Sequence, residues 1–402
     1  MRARSRSRSH AHVHVHAHAF AVGFVSDFGD VARVWWLQAL GANVEAVTLA
    51  EFGVAAAWLI GPLCSAAHDA RPDLAFRASL VLCAAASLGV AFGPTNAETL
   101  VALTCALEAT FVAWSACVDA RRVSNTNEAV TYARGSAYFS LGTFLGYELG
   151  GIATDVWGHR VPFALQTAMT VVALAFVPTA PPAIDTNDTE RASLVDKEMS
   201  VTQTRVEAVS VAVRAVVAFR PTCFAAVCVL SAAPAIQMPV TLFLNREAGF
   251  TASHVGFVGA LTSLAGAAAA IAVERRAQSA VAAAVLASAC ALATIAACAR
   301  GGAGGSTTIA AALPLSAFGL AAAQTLLSMQ TARVVRARCA SHRALAYSVV
   351  NLAPMVCKGL AFASVVGLGR ATGVAQNDFA RLGDVVDAAL AVVVAAFPLV
   401  CL

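Results

Sequence analysis

Residues 281–299 read VAAAVLASACALATIAACA, a run with no charge and no solvated face. A surface helix of a soluble protein keeps one polar side, whereas a helix that is apolar all round is buried in protein or in lipid. Leu80–Phe92, LVLCAAASLGVAF, has the same character. Of the 402 residues 59% are hydrophobic and 12% charged, with mean hydropathy +0.72, whereas a soluble domain carries roughly 25% charged residues. No soluble core absorbs that much apolar surface, so the sequence predicts a multi-pass integral membrane protein whose first partner is the lipid bilayer.

Runs near the ~20 residues that cross a bilayer fall at 20–38, 49–67, 77–94, 98–118, 135–154 and 162–179, then at 221–243, 254–273, 278–299, 306–328, 343–367 and 385–402. This predicts an all-α membrane protein with two six-helix halves, residues 20–179 and 221–402. The region between them, 180–220, includes PPAIDTNDTERASLVDKEMS and reads as a polar, flexible linker. LGANVEAVTLAEFGVAAAWLIG (40–61) and AGFTASHVGFVGALTSLAGAAA (248–269) share one layout, as a duplicated half requires. Residues 1–19, MRARSRSRSHAHVHVHAHA, are basic, Ser-rich and free of acids. They resemble the start of an organellar transit peptide, which a plastid location would explain, but are short for one. A disordered basic, His-rich tail is the plainer expectation, with the plasma membrane as the other location.

The net charge of +4 is too small to argue for a nucleic-acid partner, and placement matters more than the sum. With the N-terminus in the cytosol or its equivalent, segments 1–19, 68–77, 119–134, 180–220, 274–277 and 329–343 hold 20 of the 27 Lys and Arg. The opposite loops hold five: Arg160, Arg246, Arg300, Arg370 and Arg381. Inserting or deleting one span would scramble that asymmetry. Eleven cysteines lie scattered, with no C-x-x-C and no histidines at ligand spacing, and read as small buried hydrophobes rather than disulfides or a metal site. No G-x-S-x-G, H-E-x-x-H or Walker loop occurs, so neither an enzyme, an ATP-driven pump nor a bound cofactor is expected.

Ionisable groups at membrane depth are costly and face a cavity or a partner. Asp27, Asp30 and Arg33 recur every three residues in the first span, along roughly one helix face. Glu108 and Asp119 share a face of the fourth, Glu148 lies in the fifth, and Lys358 is deep in the eleventh. Gln237, between Pro234 and Pro239 in the seventh, reads equally as pathway lining or as part of a kink. Lys358 and Arg33 suit an anionic group, and Glu108, Glu148 and Asp27 suit a coupling proton; the plainer reading pairs them as struts between helices. Gly142, Gly146, Gly150 and Gly151 predict close helix packing on the fifth span.

Four segments carry a family resemblance: IGPLCSAAHDARPDLAFR (60–77); ACVDARRV (116–123) followed by ARGSAYFSLGTFLGYELGG (133–151); AAPAIQMPVTLFLNREAGFTASHVGFVGALTSLAG (232–266); and CASHRALAYSVVN (339–351). In order and spacing they resemble the folate-biopterin transporter family of the major facilitator superfamily. The resemblance implies a major facilitator-type fold and a secondary-active transporter of a folate- or pterin-like solute, with proton symport allowed. It also implies a gate at Asp69 and Arg77 and a charge pair of Asp119 with Arg121 or Arg134. Trp36, Trp114 and Tyr138 are aromatic residues able to stack a pteridine, although Trp and Tyr near span ends more often serve as interfacial anchors. The chain departs from the pattern at Gly61, Ser115 and Arg343. Those departures motivate an alternative, a transporter-like sensor or scaffold that no longer transports; a carrier of another small organic solute is the third reading.

Overall fold

A computed structural model describes residues 2–125, 129–177, 204–219, 221–231, 233–339 and 342–401. Its helices are α1 (Arg2–Phe28), α2 (Asp30–Ala39), α3 (Val44–Ala70), α4 (Pro72–Phe92), α5 (Ala97–Asn125), α6 (Ala129–Trp157) and α7 (Val161–Ala175). There follow α8 (Arg205–Phe219), α9 (Pro221–Arg246), α10 (Ala252–Glu274), α11 (Ser279–Arg300), α12 (Ser306–Arg338), α13 (Arg343–Thr372) and α14 (Leu382–Cys401). Among the described residues nine helices are long and apolar enough to cross a membrane by length and composition; α7 is apolar but has only 15 residues.

Local chemistry sets the ends. Asn43 caps α3 by accepting from Ala46 N at 2.9 Å, and Thr251 with His254 forms a capping box on α10. Proline opens α4, α7 and α9, where its missing N–H costs nothing. The helical backbone is continuous over Ala252–Arg300 yet reverses between α10 and α11. Gly266 lies against Ala321, while Val285 lies against Gly319, two residues away. A straight helix would separate Gly266 from Val285 by about 28 Å.

Two expectations are corrected. Residues 1–19 are not a tail throughout: the helix starts at Arg2, and Val15, His18 and Ala19 are buried in the core. The His18 ring lies edge-on to Phe76 and Trp114, and Nε2 is 3.1 Å from the Phe176 carbonyl. The expected linker is not polar coil over 205–219, which form α8, capped by reciprocal bonds between Thr204 and Glu207. Residues 180–203 lie outside the described residues.

The halves meet along two seams, α6 on α10 and α3 on α13, so the stretches 40–61 and 248–269 take matching places. The glycines of α6 make two different contacts. A Cβ on Gly146 would stand 2.5 Å from the Phe24 carbonyl oxygen of α1, and Gly142 and Gly150 sit on Phe20 and Phe28 in the same way. Gly151 turns to the other half, where a Cβ would stand 2.7 Å from Ala252 O, and Gly256 packs back on Tyr147 O.

Polar contacts bridge the halves at both ends. At the end rich in Lys and Arg, Asp69 accepts from Leu345 N (3.1 Å), Arg336 donates to Val123 O (2.7 Å), and Arg134 pairs with Glu274 (3.4 Å). At the opposite end Arg246 donates to Ala42 O (2.8 Å), Val44 N donates to Asn377 (3.0 Å), and Arg370 pairs with Glu45. There too Asp155, just past the expected fifth span, accepts from Ala252 N (3.1 Å) and from Ser253 N (2.8 Å) and Oγ (2.5 Å), against the positive end of α10. Partial burial works against its ionised form, but the Ser253 bonds, with Thr251 and Ala252, hold its pKa below the usual carboxylate value.

Two outcomes follow. Gly146→Leu forces α1 off α6 and lowers stability by about 3 kcal/mol, read as thermal unfolding in detergent; an unchanged transition contradicts the packing. Asp155→Ala costs about 1 kcal/mol, as loss of a cap does. Because the folded-state pKa is depressed, that stabilisation is whole above the ordinary carboxylate range and is lost as pH falls through the lowered value. A variant that matches the parent at neutral pH contradicts the Asp155 contact.

Candidate functional site

The first span breaks at Gly29, and the break builds the site. A Cβ there would come within 2.8 Å of the Phe163 ring and the Gln166 amide, so only glycine lets α7 approach. Lipid supplies no hydrogen bonds to a carbonyl freed by a broken helix. Gln166, 1% exposed, donates to Val25 O at 2.6 Å. Asp27 and Asp30 thereby flank the break, facing a cavity of about 410 Å³ between the halves.

Arg33, 5% exposed, lies between two carboxylates: Nη1 is 3.3 Å from Asp30, and Nη2 is 2.5 Å from Glu51 of α3. Tyr147 of α6 donates its hydroxyl to Asp30 at 3.2 Å. Glu108 of α5 accepts from the Trp58 indole at 3.1 Å, and Asp27 from the Ser26 hydroxyl at 3.0 Å. From the other half, Lys358 of α13 enters the same cavity with its ammonium 5.9 Å from the Phe362 ring centre. Among the described residues no ion pair within 4.0 Å reaches Lys358, Asp27 or Glu108. Gln237 also lines the cavity, at 3.4 Å from Ser316 Oγ, and α9 is broken beside it by the Ala233–Ile236 turn. The proline segment is thus both kink and lining.

Six expected residues therefore converge: Asp27, Asp30, Arg33, Glu108, Gln237 and Lys358. Asp119 lines a second cavity, about 290 Å³, with Ser65, Ser136, Gln324 and Asn351. Trp58, Ser115, Phe139 and Met355 line both. Asp119 pairs with Arg122 (2.8 Å), while Arg121 pairs with Asp73 (3.0 Å) and lies over Phe76, and Arg134 pairs with Glu274. Glu148 is off both cavities, its Oε2 buried without a hydrogen-bond partner among the described residues. Asp69 meets α13, while Arg77 is exposed and among the described residues forms no ion pair within 4.0 Å with Asp69.

The expected stacking rings are elsewhere. Trp36 packs on His159 and Phe163, Trp114 is fully buried, and Tyr138 stacks on His16. Trp35, Trp58, Phe111, Phe139, Tyr147 and Phe362 line the main cavity instead. Glu51, Trp58 and Tyr147 were not foreseen. Glu51 carries the signal that found the others, a carboxylate inside an apolar run; the two aromatic residues carry none.

The sequence matches the family model described as Major Facilitator Superfamily over residues 19–361. Among curated proteins none matches the chain in sequence. The fold is similar to a crystal structure of a mutant form of the nucleoside transporter NupG, with TM-score 0.65 and 11% identity over 97% of this chain and 99% of that one. With the model matching most of its length, the two-seamed helical chain belongs to the Major Facilitator Superfamily.

Proposed function

We propose that this chain is a proton-coupled secondary carrier with twelve spans in two halves, moving a small polar organic solute by alternating exposure of the main cavity. The observation that carries this reading is the charge balance of that cavity. Four carboxylates, Asp27, Asp30, Glu51 and Glu108, face two cations, Arg33 and Lys358. Charge buried without a partner is relieved by taking up a proton or by binding a counter-charge. Arg33 answers Asp30 and Glu51, which among the described residues leaves Asp27 and Glu108 with neutral donors only. Glu108 is the proton carrier in this reading. Its indole partner Trp58 stands at the junction of the two cavities, so a change of charge on Glu108 reaches the passage between them.

A folate- or pterin-like solute is the finer reading. The four resembling segments support it, as do a volume within the range of small-molecule sites, rings beside the cavity, and carboxylates able to accept from an amino-heterocycle. The Gly61, Ser115 and Arg343 departures leave this balance intact, since none of them supplies one of its charges.

Uptake of labelled folate and biopterin into vesicles holding the purified protein tests both levels. An inward proton gradient is expected to drive uptake. Glu108→Gln is expected to lose at least about tenfold of that stimulation, equivalent to about 1.4 kcal/mol, while retaining exchange down a solute gradient. Equal uptake with and without the gradient removes proton coupling. Uptake of neither compound by folded protein removes the pterin class and favours the non-transporting alternative.

A further inference from the structure

We infer that the solute is bipolar, carrying a cationic or hydrogen-donating end and an anionic end, and that it binds across the halves between Asp27 and Lys358. This rests on the carrier reading above and names the class of solute. The charges of the main cavity are divided by half. All four carboxylates come from α1, α2, α3 and α5, and the cation of the other half is Lys358 on α13.

Most of the first half's charge is already answered inside that half. Arg33 joins Asp30 to Glu51, Tyr147 adds a donor to Asp30, and Glu108, with the neutral Trp58 indole, is answered by the proton it carries in the reading above. Two groups remain for a guest. Asp27 has the hydroxyl of its neighbour Ser26, and Lys358 has a ring at 5.9 Å, a weak contact for an ammonium ion. Lys358 shares the cavity with Glu51 and Glu108, yet among the described residues no carboxylate lies within 4.0 Å of it. Arg33 Nε, buried in the cavity wall, likewise has no hydrogen-bond partner among the described residues. The cavity is thus built with polar groups of both signs left open.

Each simpler solute leaves one of them unanswered. A wholly anionic guest satisfies Lys358 but enters a space with a surplus of carboxylates. A wholly cationic guest satisfies Asp27 but leaves the ammonium of Lys358 desolvated. Leaving one member of a buried charge set unpaired is the expensive arrangement, and selection against the wrong guest comes from that cost. A bipolar guest answers both and lays its middle along Trp58, Phe139 and Met355. Because its ends belong to different halves, full binding also draws the halves together.

The test is thermal unfolding of the purified protein in lipid nanodiscs, titrated with two matched sets. Phenylalanine is compared with phenethylamine and 3-phenylpropionate, and pterin-6-carboxylate with biopterin. In at least one set the bipolar compound is expected to stabilise at a concentration about tenfold or more below that of its one-ended relatives, equivalent to about 1.4 kcal/mol. Lys358→Gln is expected to bring that compound to the level of the relative lacking the anionic end, and Lys358→Arg to restore it. Asp27→Asn is expected to weaken it without altering binding of the purely anionic relative. One-ended compounds binding as tightly as their bipolar counterparts in both sets, or no binding by either bipolar compound, overturns the inference. Should Lys358→Gln not fold, the compound series on the parent protein and on Lys358→Arg still decides. Uptake of a one-ended compound alone overturns the inference and leaves the carrier reading standing. Binding of a bipolar compound without uptake does the reverse.

Discussion

The Arg33 guanidinium, held between Asp30 of its own helix and Glu51 of the next, is the contact on which the site depends. It fixes α2 against α3 beside a helix break, where no backbone ladder does so. Removing one partner of such a buried set costs about 3–5 kcal/mol, far more than an exposed pair contributes. The ion pairs at the rim, such as Arg300 with Asp387 or Arg381 with Asp384, are half-exposed and belong to the weak class. The buried triad also determines what is left over. Among the described residues it uses the one cation that the first half gives the cavity and leaves Asp27 and Glu108 without an ion pair, and from that surplus both the proton and the solute arguments follow.

The second constraint is how the halves touch. Close backbone contact at Gly151 and Gly256 and the Asp155 contact on α10 hold one end, and Asp69 on the start of α13 holds the other. In each case a carboxylate at the end of one half's helix meets the positive start of a helix in the other half. Such contacts are specific, yet each is worth only about 1 kcal/mol, a magnitude that the alternation proposed above requires. The two cavities, joined at Trp58, Ser115, Phe139 and Met355, lie between them.

Much of this was legible in the sequence. Asp27, Asp30, Arg33, Glu108 and Lys358 stand out because a charge in an apolar run has few places to go. Glu51 bears the same mark but lies near the start of its expected span, where a charge reads as interfacial. The pairing of Asp119 with Arg122 follows from helix phase, since Arg122 is three residues on and shares its face. The break at Gly29 was not legible, because a single glycine in an apolar helix is ordinary and its consequence depends on Gln166, over a hundred residues away. Trp35 faces the cavity and Trp36 does not, as neighbours about 100° apart around one helix. The early start of α1 was hidden for a similar reason, since Ser- and His-rich sequence has modest helix propensity and Val15, His18 and Ala19 owe their place to packing.

The central claim is that the two halves rock about the shared cavity. Spin labels on Trp157→Cys with Glu247→Cys report the end held by Asp155, and labels on Ala70→Cys with Ala337→Cys report the basic end, in a chain freed of its native cysteines. Distances measured by electron spin resonance, at neutral and acidic pH and with solute, are predicted to move in opposite senses, one pair parting as the other closes. Two pairs that stay fixed, or that lengthen together, contradict the account.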